Sequence, residues 1–277
     1  MSGLKKSIQK TLDYAGYFNY PLDQNELCLW LISDKNVPNE KISAIHRQQL
    51  SPDEIALKKH LNQVSLDKIK TAQKLSKYLS FIPSIDLVAV SGSVAVANAK
   101  ELDDIDLLIV TKDHTLWLTR PFVLLISGLV GERRQPTDSY LEAANTFCLN
   151  LWLEKRSLKI PQSKQNLYTA HEVLQILPIY DRHSTYQQFL NINAWVKKHL
   201  ANAYKTKSSS APLDSKGNSP FSLLISPLNL VFYLLQYLYM KPKLTKETVS
   251  YHSAYFHKID FFKKIDHHLR VNRVGYN

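Results

Sequence analysis

Along the chain, stretches with an apolar residue every three or four positions alternate with short runs in which nearly every residue is apolar, which predicts helices interleaved with buried strands. Residues 5 to 33 carry Ile8, Leu12, Ala15 and Phe18, then Leu27, Trp30 and Leu31, at helical spacing. Pro21 stops the first of these helices, Asp23 or Asn25 caps the second, and a third periodic segment covers 39 to 49. Residues 52 to 81 read as one or two helices with an apolar stripe of Ile69, Ala72, Leu75 and Leu79, leaving Lys68, Lys70, Lys74 and Lys77 as a solvated face. Strands are expected at residues 87 to 90, 105 to 110 and 147 to 153, the last with Cys148, Asn150 and Trp152 on one face. Between the last two lies a helical run from Trp117, closed by Gly131. From Leu167 onward the pattern predicts helices only: one over 168 to 175 ended by Pro178, and one over 187 to 204. Residues 205 to 220, rich in Ser, Pro and Lys, read as a mobile loop. Residues 222 to 240 hold no charge and are long enough to cross a membrane. Pro227, Asn229 and Gln236 in their middle make a buried core helix from about Pro227 the expectation, and a membrane partner is not expected.

Polar residues break the apolar pattern most sharply between residues 91 and 106. Ser91-Gly92-Ser93 follows the first strand, where glycine allows a tight turn and close ligand approach, and Ser93 can cap a helix beginning at Val94. A helix start of this kind suits a phosphate. Asp104 and Asp106 point to one face of the second strand, about 7 Å apart along it. Two carboxylates so placed repel unless a cation lies between them, and an all-oxygen donor set suits Mg²⁺.

Gly92-Ser93, a ten-residue gap (94 to 103) and Asp104-Ile105-Asp106 in a strand–helix–strand context resemble the signature of the DNA polymerase beta-like nucleotidyltransferase superfamily. The resemblance covers about a tenth of the chain. It implies transfer of a nucleoside monophosphate from a nucleoside triphosphate, ATP before the others, to a hydroxyl acceptor on a protein, a small molecule or an RNA. Gly92 and Ser93 would bind the nucleotide phosphates, and Asp104 and Asp106 the divalent metal, Mg²⁺ or Mn²⁺. In the superfamily the strand at 147 to 153 usually offers a third carboxylate that serves as base. The matching position here is Asn150, whose amide cannot take a proton at neutral pH. Asp138, Glu142 or Glu154 supplies the missing acid, or the site works with two carboxylates, or it binds nucleotide and turns over slowly. Among the basic residues, Arg120, Arg133 and Arg134 can reach triphosphate oxygens or serve as caps and solvated charges. His171 and Glu172 are neighbours on a helix and diverge by about 100°, so they are not expected to share a role.

Composition completes the picture. A chain of 277 residues, 44% of them hydrophobic, is long enough for two or three small domains. The expected class is α+β: a winged-helix-like helical unit over 1 to 60, a small mixed sheet forming the nucleotidyltransferase core over 61 to 160, and an all-helical domain over 161 to 277. Cys28 and Cys148 sit in apolar runs at no metal-ligand spacing, so both thiols are expected buried, in a reducing cytoplasm. The segment MSGLKKSIQK is not expected to act as a secretory signal, and no His-Glu-x-x-His arrangement of a zinc hydrolase occurs. A net charge of +11 favours a polyanionic partner, which keeps two alternatives in view: a nucleotide-binding regulator or adaptor with a degenerate transferase site, and a nucleic-acid-binding regulator.

Overall fold

The computed structural model describes residues 3–131, 145–209, 224–245, 247–256 and 261–274. The class is α+β, with helices on both faces of a mixed sheet. Three short helices open the chain: α1 (Gly3–Tyr17), α2 (Gln24–Leu29) and α3 (Asn39–Ile45). The expected cap of α2 is present as a capping box, in which Asp23 accepts from the Glu26 amide and Glu26 from that of Asp23. These helices close over a small core of Ile8, Leu27, Leu31 and Ile42. The segment at 52 to 81 is one continuous helix, α4 (Pro52–Leu79), started by Ser51 and Glu54 in the same reciprocal arrangement.

Next come β1 (Ile85–Val90), a single helical turn α5 (Gly92–Ala95), β2 (Ile105–Thr111), α6 (Leu116–Val130) and β3 (Phe147–Glu154). The expectation of helices alone beyond Leu167 is corrected. After α7 (Leu167–Gln175), Pro178 lies within β4 (Leu177–Asp181), an edge strand, where a missing N–H costs nothing in the ladder. The run at 187 to 204 is broken into α8 (Thr185–Ile192), a 3₁₀ segment and α9 (Ala201–Lys207). The break follows Asn193, fully buried, whose side chain bonds Leu158, Ile160 and Phe189 backbone groups in place of helix continuity. Helix α10 (Ser226–Met240), β5 (Thr248–Val249), β6 (Ser253–Tyr255) and α11 (Phe261–Val274) follow. The start of the loop expected at 205 to 220 is helical, in α9, and 210–220 lie outside the described residues.

The sheet order is β4-β1-β2-β3-β6-β5. Only β2 and β3 pair in parallel; the other neighbours are antiparallel. Leu87, Ala89, Leu108 and Val110 face a core shared with α1, α7, α8, α9 and α11. Val88, Val90, Leu107 and Ile109 face the opposite core, under α4, α6 and α10.

One irregularity matters for the site. Cys148 pairs with Asp106, but Leu151 pairs with Leu108, so β3 carries one residue more than β2 over this interval. The extra residue is a β-bulge. Downstream of it Leu151 and Leu153 join the first core, while Trp152 packs into the second, away from the face of Cys148 and Asn150. Strict alternation had put all three on one side.

The expected buried helix at 222 to 240 is also corrected: in α10 only Asn229 and Met240 are buried. Among the described residues no helix is long and apolar enough to cross a membrane.

Candidate functional site

The site grows from the end of β1. Gly92 takes φ +65°, a left-handed conformation that glycine adopts without steric cost. A Cβ on Gly92 would sit 2.5 Å from Asp106 Oδ2, so with any other residue here the Asp106 carboxylate would have to shift. The Ser91 amide donates to the Asp106 carbonyl at 2.9 Å and ties turn to strand. Ser91, not Ser93, occupies the cap position of α5, and no side chain caps it. Instead the Ser93 hydroxyl donates to Asp103 Oδ2 at 2.8 Å, and the same oxygen accepts from the Lys100 amide at 3.0 Å. Ser93 thus shapes the loop leading into β2, and the first backbone amides of α5 have no acceptor within the helix.

Asp104 and Asp106 are both half-buried and come together with Cys148. One carboxylate oxygen of each and the Cys148 sulfur lie within 4.8 Å of one another. Cys148, expected as a buried core thiol, is therefore half-buried beside the acidic pair, delivered there by the parallel pairing of β3 with β2. The two carboxylates fit a divalent cation such as Mg²⁺ or Mn²⁺, while a thiol is a soft ligand that these ions do not prefer. Asn150, 5% exposed, donates its amide to Asp106 Oδ1 at 2.6 Å. That direction follows from the partner, since a carboxylate can only accept. Its own carbonyl oxygen is buried and finds no partner among the described residues. Asn150 is a positioning residue for Asp106, not a proton acceptor.

Glu154 does not supply the third acid. It is fully buried opposite Thr111, at the other end of β3, where His252 Nδ1 lies 2.7 Å from its Oε2. Asp138, Glu142, Arg133 and Arg134 lie outside the described residues. Arg120 is on the opposite sheet face, donating to Gln236 Oε1 at 2.9 Å and stacked near Phe256.

Two groups escaped the sequence reading. Lys68, 4% exposed, donates to the carbonyls of Glu101 (3.0 Å) and Asp103 (2.7 Å) and to the Asn145 side chain. Burial pulls its pKa down, against the opposing pull of Asp103, Asp104 and Glu101. It is corrected from a solvated lysine to the pin between α4 and the Asp103–Asp104 loop. The signal was present: Leu61, Ser65, Lys68, Ala72, Leu75 and Leu79 follow the 3–4 spacing of one helix face, with Lys68 inside it.

The second group is on α7, which packs against α5. Glu172 bonds Tyr168, and burial pushes its carboxyl up to about 7. Burial likewise raises the Tyr168 phenol, with the negative charges of Glu172 and Asp106 adding to the effect. His171 faces elsewhere, stacked on Tyr14 at 4.0 Å, and burial lowers it to about 3. Glu172 can therefore exchange a proton near neutrality, whereas His171 stays a neutral ring.

Comparison with protein-family models, curated proteins and solved structures finds no match.

Proposed function

We propose that the chain is a divalent-metal-dependent nucleotidyltransferase that moves a nucleoside monophosphate from a triphosphate, ATP first among them, to a hydroxyl acceptor on a protein, a small molecule or an RNA. The observation that carries this reading is the close approach of the Gly92 turn to Asp106, which puts a glycine turn beside a pair of carboxylates. Asp104 and Asp106 are the residues that would hold the metal. A bound divalent ion supplies charge neutralisation and orientation for in-line attack on a phosphate. Asn150 keeps Asp106 aimed and favours its charged form by donating to it. Lys68 and Ser93 hold the Asp103–Asp104 loop in register with the turn. Glu172, linked to the site through Tyr168, which senses the charges of both Glu172 and Asp106, is the candidate for the proton acceptor that Asn150 cannot be.

The test is metal-dependent release of pyrophosphate from each nucleoside triphosphate, comparing the wild type with an Asp104→Asn/Asp106→Asn double variant. Release by the wild type and its loss in the double variant support the transferase. The amide at position 150 favours a second reading, a nucleotide-binding regulator with a degenerate site. Binding of nucleotide by the wild type without release would select it.

A further inference from the structure

The two thiols of the chain have different surroundings. Cys28 is 3% exposed in the small core of α1 to α3, where a thiol behaves as a small apolar group. Cys148 is half-buried and lies against carboxylates. It pairs directly with Asp106 across the parallel ladder of β2 and β3, and residues paired in this way project to one face of the sheet. Asp104 joins them there, so that two oxygens and one sulfur are close enough to share an ion. Asn150 supplies an observation independent of this trio. Its Nδ2 is committed to Asp106 Oδ1 at 2.6 Å, which leaves its Oδ1 as an acceptor beside the same cluster. The residue is 5% exposed, and that oxygen meets no donor among the described residues. A buried acceptor of this kind calls for a donor from a ligand, and a hydrated cation brings such donors wherever it binds.

We propose that Cys148 is a ligand of the metal centre, and that it makes the resident ion Zn²⁺, or a divalent ion equally drawn to sulfur, in place of Mg²⁺. This deepens the proposed function and rests on its metal centre at Asp104 and Asp106. Mg²⁺ takes oxygen donors and gives up its water reluctantly, so the sulfur would do nothing to hold it. Zn²⁺ binds sulfur and carboxylate oxygen alike, and in sites that do chemistry it commonly takes three protein donors and keeps a further position open. Two carboxylates and one thiol make three donors. The thiol loses its proton to solvent as the metal binds. Asn150 then stands in the outer sphere, where its Nδ2 orients Asp106. The open position is available to a phosphate oxygen, so a sulfur ligand and the proposed transfer are compatible.

The full chain, stripped of metal by a chelator, is titrated with Co²⁺, which occupies zinc sites and reports its donors by colour. A thiolate ligand gives an intense near-ultraviolet charge-transfer band that oxygen donors do not. The band is expected in the wild type and in Cys28→Ala, displaced by Zn²⁺, and absent from Cys148→Ser. Competition with a chromophoric chelator is expected to show Zn²⁺ held about 100-fold more weakly by Cys148→Ser, the upper end of what loss of an outer-sphere partner costs, with Mn²⁺ affinity little changed. Should the serine variant misfold, the wild type answers alone: Zn²⁺ is expected to protect Cys148 from alkylation, read by peptide mass, and Mg²⁺ to leave it reactive. Co²⁺ bound without the band, or a Zn²⁺ affinity indifferent to Cys148→Ser, overturns the sulfur ligand and leaves an oxygen-only centre on which the transferase reading still stands. Failure of every divalent ion to bind overturns both. The band in a protein that never releases pyrophosphate from a nucleoside triphosphate supports the sulfur ligand and overturns the transferase alone.

Discussion

At Gly92, two constraints coincide on one atom. The left-handed φ strains any other side chain, and a Cβ would come 2.5 Å from Asp106 Oδ2, so that carboxylate would have to move. Gly92→Ala is expected to destabilise the fold by about 1–3 kcal/mol and to weaken Mn²⁺ binding at least tenfold, read by urea denaturation and by calorimetric titration. Asn150 gives the complementary experiment. Asn150→Asp replaces a donor to Asp106 with a like charge, so without metal the variant should be less stable than the wild type by about 1–3 kcal/mol. The variant should nevertheless bind Mn²⁺ more tightly than the wild type, read by calorimetric titration, because a third carboxylate adds to the donor set. The Gly-Ser and Asp-x-Asp residues were readable because residue type, gap and strand context all agree in one short stretch. Cys148 was not. Its neighbourhood depends on which strand pairs with β2, a long-range choice that no local pattern encodes.

At the scale of elements, α4 shows what an amphipathic reading misses. Its lysines look alike in a helical projection, yet Lys68 is buried and hydrogen-bonded to carbonyls 33 and 35 residues away, while Lys70 pairs with Asp67 in solvent. Lys68→Met keeps the bulk of the side chain and removes the donor. It is expected to lower stability by about 1–3 kcal/mol through the orphaned carbonyls and to weaken divalent-metal binding severalfold by loosening the Asp103–Asp104 loop. Lys70→Met should change neither measurably, and chemical denaturation of the two variants side by side checks the difference. Strands β1, β2 and β3 were legible from their apolar runs. By contrast, β4, β5 and β6 were hidden for two reasons. Pro178 reads as a helix stop when it is an edge-strand residue, and strands of two and three residues carry no periodic signal. The residues of α10 pattern as a helix, but their composition says only that water is a poor solvent for them, which points to the core and not to the exposed face they occupy.

For the whole molecule, His171 and Glu172 couple stability to pH through the first core, which joins α1, α7 and the sheet. Burial holds His171 at about 3, below its ordinary 6.5, so its contribution is present above 6.5 and is lost as pH falls toward 3. Burial raises Glu172 from 4.5 to about 7, so its contribution is present below 4.5 and is lost as pH rises through 7. Between 4.5 and 6.5 the two slopes oppose and cancel, and this pair leaves stability flat there. His171→Gln should expose the falling slope of Glu172 as pH rises, and Glu172→Gln the falling slope of His171 as pH drops. Urea midpoints of both variants relative to wild type at three pH values across this window decide the matter. Glu172→Gln should also slow pyrophosphate release if Glu172 accepts the proton. The bulge in β3 has a broader consequence. A single inserted residue acts as a phase shift, letting one strand face the acidic pair in its first half and the core in its second. Side chains at 148 and 150 can therefore be recoded without re-addressing Trp152 and Leu153, and removing the insertion would swap the inner and outer clients of everything downstream.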